Sequence, residues 1–134
     1  MHAEETKLLD LLKKSTQFTV PIFQRTYSWG EEEVRQLWED IIRTGKKEHI
    51  NAHFVGSIVY ILPKDVDYVF QSAMVIDGQQ RLTTITILLE ALARHVGEGE
   101  PVDGFSAEKI REYYLLNRLE KDDRKYKLLL TQTD

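Results

Sequence analysis

Apolar residues recur at the spacing of an α-helix in several segments of the chain. This repeat gathers apolar side chains on one face, which can then pack against a core. It predicts helices over residues 4–14, from about residue 31 to residue 42, over residues 80–96 and over residues 106–119. The helix over residues 80–96 is expected to be central, because Ile87 adds a second apolar side to its main stripe.

The helix that begins near residue 31 carries the clearest local signals. Ser28 and Glu31 have the spacing of a capping box, in which two side chains bond backbone N–H groups at a helix start. The apolar stripe that follows consists of Val34, Leu37, Trp38, Ile41 and Ile42. The opposite face is mainly acidic, and we interpret it as solvated surface. The pattern therefore predicts an amphipathic helix.

Residues typical of β-strands fill three further segments. Residues 17–20 alternate polar and apolar side chains, which predicts a short strand that ends before Pro21. Residues 54–62 and 68–76 are rich in Val, Ile, Tyr and Phe and flank a turn at Pro63, so they predict an antiparallel hairpin. Residues 126–130 also fit a strand. The elements together predict one α+β domain spanning residues 1–134.

Composition narrows the range of functions. The chain has a formal net charge of −4, which argues against a uniformly basic DNA-binding surface. It contains no cysteine, and its four histidines lack the spacing of metal ligands, so a zinc centre is not expected. Apolar runs are too short for a membrane span, and the polar N-terminus does not resemble a signal peptide. We therefore expect a cytoplasmic protein.

The most informative segment is residues 73–84, where an apolar strand runs directly into a helix. The first N–H groups of a helix have no internal partner and lie at the positive end of its dipole, so they can bind phosphate. Gly78 would let the backbone approach an anion, and Arg81 offers a charged fork for phosphate oxygens. Gln79 and Gln80 offer amides to a phosphate, a base edge or an attacking water. The segment is not a Walker A motif.

The same segment also has a purely structural interpretation. Asp77 would cap the helix in a box with Gln80, Gly78 would form a turn, and Gln79 and Arg81 would face solvent. Spacing alone does not choose between the two interpretations.

A second informative segment, residues 20–29, is predicted to be a loop that leads into a helix. It holds Phe23, Tyr27 and Trp29 together with Gln24 and Arg25. Loops of this composition often bind ligands. Alternatively, the aromatic rings pack the loop down and the arginine pairs with a surface acid.

Three ordered motifs resemble the N-terminal domain family of GmrSD-type restriction enzymes. They are Ile-Phe-Gln-Arg-Thr-Tyr-Ser-Trp at residues 22–29, His-Phe-Val-Gly-Ser-Ile-Val at residues 53–59 and Val-Ile-Asp-Gly-Gln-Gln-Arg-Leu-Thr-Thr at residues 75–84. The resemblance covers about residues 5–130, and the Asp-Gly-Gln-Gln-Arg element is the most diagnostic part. It implies a ParB/sulfiredoxin-like fold, a small mixed sheet packed with helices, that hydrolyses a nucleoside triphosphate to support restriction of modified phage DNA.

The resemblance also implies that the first and last motifs line one pocket, with the middle motif beside them. The nucleotide would be bound by Gln24, Arg25, Tyr27, Trp29, Gly56, Ser57, Gly78, Thr83 and Thr84. Hydrolysis would depend on Asp77, Gln79, Gln80 and Arg81. Gln79 or Gln80 would orient the attacking water, and Asp77 would hold Mg2+ directly, hold it through water, or only cap the helix.

Proteins of this family are usually longer, with a helical region and often an HNH nuclease domain downstream. The chain stops just after an apolar run, which predicts an N-terminal fragment of a longer protein. The remainder, or a partner subunit, would then contact modified DNA. The alternative function is a non-catalytic sensor of nucleotide or modified DNA that controls a downstream nuclease domain. Direct DNA cleavage by this domain is disfavoured, because the sequence offers no acidic metal cluster.

Overall fold

A computed structural model describes residues 7–14, 16–21, 27–46, 58–62 and 71–131. Within these ranges the chain forms a mixed four-stranded sheet and several helices, which confirms the predicted α+β class. The elements are α1 (Leu8–Lys13), β1 (Thr16–Pro21), α2 (Glu31–Lys46), β2 (Val59–Ile61), β3 (Gln71–Asp77), α3 (Gln79–Val96), α4 (Ala107–Ile110), a π-helical turn (Arg111–Leu115), a 3-10 turn (Asp122–Lys125) and β4 (Leu128–Thr131).

The strand order in the sheet is β2-β3-β1-β4. β1 is central and parallel to both β3 and β4, and Phe18 lies level with Ala73 on one side and Leu128 on the other. The strand runs through Pro21, so the prediction that it ends before the proline was wrong by one residue. A proline at the last position of a strand removes only one terminal hydrogen-bond donor, which explains why it is tolerated.

The predicted antiparallel pairing of the two middle strands is confirmed between β2 and β3. A register irregularity lies between Val59, which is level with Asp77, and Tyr60, which is level with Val75. It falls where β3 ends and α3 begins. Residues 54–57 and 68–70 of the predicted hairpin lie outside the described residues.

The core lies between the sheet and α3, but Ile87 is 59% exposed, so the predicted second apolar side of this helix does not enter the core. Its largest fully buried side chains include Phe18, Val75 and Leu82. The ring of Phe18 meets Tyr60 edge to face, with 5.5 Å between ring centroids. Complete burial of one such side chain stabilises the fold by about 1.5–3 kcal/mol. None of the described helices is long and apolar enough to cross a membrane.

The helix predicted over residues 106–119 is shorter in the structure. Ser106 caps α4, since its Oγ accepts a hydrogen bond from the Lys109 N–H at 3.1 Å. The helix widens into the π-helical turn and ends at Leu115. Asn117 is buried and donates to the carbonyl oxygens of Thr16 and Arg124. These long-range bonds compete with continued helix formation, which residue spacing alone cannot reveal.

α2 differs from its prediction at its start and along its apolar stripe. The expected capping box of Ser28 and Glu31 is wrong, because the helix begins at Glu31 and the Glu33 carboxylate accepts from the Gly30 N–H at 3.0 Å. Leu37 is its buried apolar residue, while the rest of the stripe stays partly exposed. The helix is amphipathic, but the domain covers only one edge of its apolar face.

A buried polar cluster joins the start of β1 to the segment before β4. Lys127 is only 4% exposed, and its Nζ donates to the Lys14 carbonyl oxygen at 2.6 Å and to Asn117 Oδ1 at 2.9 Å. Both acceptors are neutral. Burial without a paired carboxylate lowers the pKa of Lys127 to about 8, because desolvation penalises the charged form.

Lys127 should make the stability of the domain rise with pH. Its pKa is about 8 in the folded chain against 10.5 for the ordinary side chain. Between these values the unfolded chain binds more protons, so the free energy of unfolding should gain up to about 1.4 kcal/mol per pH unit. Urea unfolding between pH 7 and pH 10 measures this gain. Lys127→Met should flatten the curve, whereas the exposed Lys125→Met should leave it unchanged. Parallel curves for wild type and Lys127→Met would contradict the assignment.

Candidate functional site

The junction between β3 and α3 is built on one glycine. Asp77 ends the strand, Gln79 begins the helix, and Gly78 between them has φ 86° and ψ 14°. This left-handed conformation strains any residue with a β-carbon, so glycine is the natural choice. The Gly78 carbonyl then accepts the N–H of Leu82 at 3.0 Å and closes the first turn. The sequence prediction of a strand, a tight turn and a helix start is confirmed.

The start of α3 has no side-chain cap. The capping position is held by Gly78, so the alternative in which Asp77 caps the helix in a box with Gln80 is wrong. The first turn also contains no acidic residue. Asp77 is exposed, and its side chain makes no hydrogen bond or ion pair with the other residues that the structure describes. The positive end of the α3 dipole is therefore not neutralised by a carboxylate of the first turn.

Gln79 does not face solvent, as the structural interpretation had it. Its side chain is buried, and Nε2 donates to the Val75 carbonyl oxygen at 3.0 Å. The bond runs from the helix start back to the strand that precedes it. Gln79 therefore helps to fix the angle at which α3 leaves the sheet.

Gln80 joins two distant parts of the chain. Its side chain is buried, and Oε1 accepts the backbone N–H of Ser28 at 2.7 Å and that of Trp29 at 3.2 Å. The amide thus serves as an acceptor for a segment more than 50 residues away in sequence. Ser28 was predicted to belong to a capping box, but in the structure its backbone N–H donates to Gln80.

A second contact joins the same two segments. The Thr84 hydroxyl donates to the backbone carbonyl oxygen of Gln80 at 2.7 Å. The Tyr27 hydroxyl lies 2.8 Å from the same Thr84 oxygen. A hydroxyl has one proton, so Tyr27 is the donor to Thr84. Trp29 is partly buried against the core cluster. Residues 27–29 are therefore fixed on the first turns of α3.

The remaining predicted site residues divide into two groups. Arg81 and Thr83 lie in the first turns of α3 and are partly buried. Gln24, Arg25, Gly56 and Ser57 lie outside the described residues, so their predicted roles stay predictions. The side of the site that the structure describes consists of residues 27–29 and 77–84. We call these two segments together the junction site.

The junction site fits a magnesium ion only with help from a ligand. In the part of the chain that the structure describes, no group of three or more His, Asp or Glu side chains lies together as metal ligands would. Mg2+ commonly binds one or two carboxylates and completes its shell with water and phosphate oxygens. The single exposed carboxylate of Asp77 matches that pattern.

The sequence did not reveal which groups these polar side chains bond. Tyr27 and Thr84 were predicted to contact a nucleotide, but the structure shows them bonded to each other. Gln80 was given several possible partners, and the backbone of Ser28 and Trp29 was not among them. The spacing of glutamines and hydroxyls carries no signal for a tertiary hydrogen bond, because the partner lies far away in sequence.

Loss of the Gln80 side chain should destabilise the domain and release residues 27–29. Gln80→Ala leaves two backbone N–H groups without their acceptor, which costs about 1–3 kcal/mol. Gln36→Ala is the matched control, since Gln36 is exposed and bonds only its helix neighbour Asp40. Urea unfolding gives the stability difference, and Trp29 fluorescence in a Trp38→Phe background reports the release. Equal stability of the two alanine variants would refute the proposed role of Gln80.

The chain is similar to a known protein family. The family model for the N-terminal domain of GmrSD restriction endonucleases matches residues 8–134. No curated protein matches the chain. The match includes every residue of the junction site and every strand of the sheet. The chain therefore belongs to the GmrSD restriction endonuclease N-terminal domain family.

Proposed function

We propose that the junction site binds the phosphates of a nucleoside triphosphate and that the domain serves a restriction system directed against modified phage DNA. One observation carries the proposal. Residues 27–29 are fixed on the uncapped start of α3 by Gln80 and Thr84. Two motifs that are distant in sequence thus meet at the start of a helix, where the positive end of the helix dipole favours an anion. Family membership supports the link to restriction.

The electrostatics of the helix start favour an anion. No acidic side chain occupies the first turn of α3, and the residue that precedes this turn, Gly78, has no side chain. Arg81 lies in the same turn and supplies a planar cation that matches phosphate oxygens. The chain as a whole is acidic, with a net charge of −4, so its overall charge would repel a polyanion. Binding would therefore depend on this local arrangement of positive charge. The exposed ring of Tyr27 offers a surface for the base.

Hydrolysis would depend mainly on positioning and electrostatic stabilisation. In this proposal Arg81 stabilises charge on the transferred phosphoryl group. The side-chain amide oxygen of Gln80 accepts hydrogen bonds from the backbone N–H groups of residues 28 and 29, so Gln80 acts by positioning that segment. Asp77 is exposed, which suits it to orient water or to bind Mg2+ beside the phosphates. Bound Mg2+ would neutralise phosphate charge.

The proposal extends to the ancestry of the domain and to its link with a nuclease. A ParB/sulfiredoxin-like ancestry would account for a small sheet that presents a nucleotide at a strand-to-helix junction. In a restriction enzyme, a helical or HNH nuclease domain or a partner subunit would read the state of this site and act on modified DNA. The nucleotide would then regulate the nuclease.

Arg81 should contribute strongly to triphosphate affinity. Removing one charge-assisted contact costs about 1.5–3 kcal/mol, so Arg81→Ala should raise the Kd for a nucleoside triphosphate about 10- to 100-fold. Arg94→Ala is the control, since Arg94 lies in the last turn of the same helix and pairs with Glu90. Isothermal titration of the chain with each of the four triphosphates gives the Kd values. Equal affinity of both variants for every triphosphate would place the binding site elsewhere.

Asp77 should separate binding from hydrolysis. Asp77→Asn keeps the shape of the side chain and removes its charge, so we expect triphosphate binding without Mg2+ to persist and phosphate release with Mg2+ to fall at least about tenfold. Phosphate release is measured at saturating nucleotide, and Asp103→Asn, at an exposed site in the turn after α3, is the matched control. Unchanged release by Asp77→Asn would exclude a catalytic role.

A sensor is the second candidate, and the engagement of Gln80 favours it. A glutamine whose carbonyl oxygen is held by two backbone N–H groups is a poor choice for orienting water. The site would then bind nucleotide and transmit its presence through residues 27–29 without turnover. Triphosphate binding in the complete protein, with no phosphate release in the presence or absence of modified DNA, would favour the sensor over the enzyme.

A further inference from the structure

The apolar stripe of α2 is a surface that the nucleotide site does not use. Val34, Trp38, Ile41 and Ile42 lie at helical spacing along it and are between 36% and 50% exposed. Leu37, at the edge of the stripe, is the residue of α2 that enters the core. A β-carbon added to Gly45, in line with the stripe, would meet no atom within 4 Å. The space beside Gly45 is therefore open, and the stripe residues are partly exposed.

Two residues of the stripe are placed symmetrically about its largest residue. Trp38 lies near the middle of α2, Val34 lies four residues before it and Ile42 four residues after it. Two copies of the helix laid antiparallel across a two-fold axis at Trp38 would place Val34 of each copy opposite Ile42 of the other. Such an interface is isologous, since one patch meets itself.

The charges beside the stripe are complementary in this arrangement. One flank carries Glu31, Arg35, Glu39 and Lys46, which alternate in sign from the start of the helix to its end. When two helices run antiparallel, equivalent flanks face each other in reverse order. Glu31 of one copy then lies near Lys46 of the other, and Arg35 lies near Glu39. A parallel pair would instead bring this flank against the opposite flank of the other copy.

We propose that α2 is a self-association surface on which a second copy of this chain docks antiparallel, with Trp38 at the two-fold axis. The helix has 16 residues, so it is about 24 Å long. One helix pair of that length buries less than the roughly 800 Å² per partner of a standard interface. The dimer is therefore weak and forms at high protein concentration.

Sedimentation of the 134-residue chain over a concentration series tests the association. Wild type should shift from monomer to dimer, and Trp38→Arg should raise the dissociation constant at least about tenfold, because a central buried tryptophan usually dominates an interface. Gln36→Arg introduces the same group on the exposed, opposite side of α2 and should leave association unchanged. Circular dichroism confirms that each variant folds. A monomer at all concentrations, as expected if another domain covers the stripe, overturns the proposal.

Disulfide trapping tests the geometry independently of affinity. The chain has no native cysteine, so a single substitution gives an unambiguous cross-link. Trp38→Cys should form covalent dimers on mild oxidation, and a mixture of Val34→Cys and Ile42→Cys chains should form mixed dimers. Val34→Cys alone should not, because its two copies would lie about 12 Å apart along the helix axes. Efficient cross-linking of Val34→Cys with itself overturns the antiparallel arrangement.

A charge exchange gives the third test. Glu31→Lys should weaken the dimer, because it places like charges near Lys46 of the second copy. The double variant Glu31→Lys with Lys46→Glu restores the opposite signs and should recover most of the lost affinity. Both sites are exposed, so the fold should tolerate the changes. A double variant that is no better than Glu31→Lys overturns the proposed pairing of flanks.

Discussion

The hydrogen bonds from the backbone of Ser28 and Trp29 to Gln80 Oε1 determine how the domain is assembled. They fix the entry to α2 on the first turn of α3. Breaking these bonds is costly, because the buried amide oxygen of Gln80 would lose two donors. The junction site and the start of α2 therefore depend on one side chain.

The geometry of the start of α3 bears directly on the proposed binding of phosphate. Gly78 turns the chain so that α3 starts without a side-chain cap, and the carbonyl oxygen of Val75 holds Gln79 so that the helix leaves the sheet at a fixed angle. An anion bound at this point would lie near the positive end of the α3 dipole and near Arg81. In the proposed function, these groups would stabilise phosphate charge.

The same hydrogen bonds join the start of α2 to the junction site. Residues 27–30 lead directly into α2, and its apolar stripe lies on the side that the domain leaves open. A change at the start of α3 would reach α2 through Gln80 and Tyr27. Association through α2 and occupancy of the junction site would then be thermodynamically coupled, and such coupling acts equally in both directions.

The sequence by itself determined the elements whose signals are local. The apolar repeat of α3, its stop at Gly97, the strand-to-helix junction at Gly78 and the pairing of β2 with β3 were all predicted from neighbouring residues. These features follow from periodicity and backbone conformation, which depend on residues close in the chain. The three motifs also identified the family.

Only the tertiary structure decided which polar groups meet. The bonds of Asn117 end the helix at Leu115, and Lys127 is buried without a carboxylate partner among the described residues. The Gln80 side chain bonds the backbone of residues 28 and 29. The tertiary structure also left most of the apolar stripe of α2 uncovered. The physical reason is common to all four. Each outcome depends on contacts between residues far apart in sequence, and a linear pattern does not contain the distance between them.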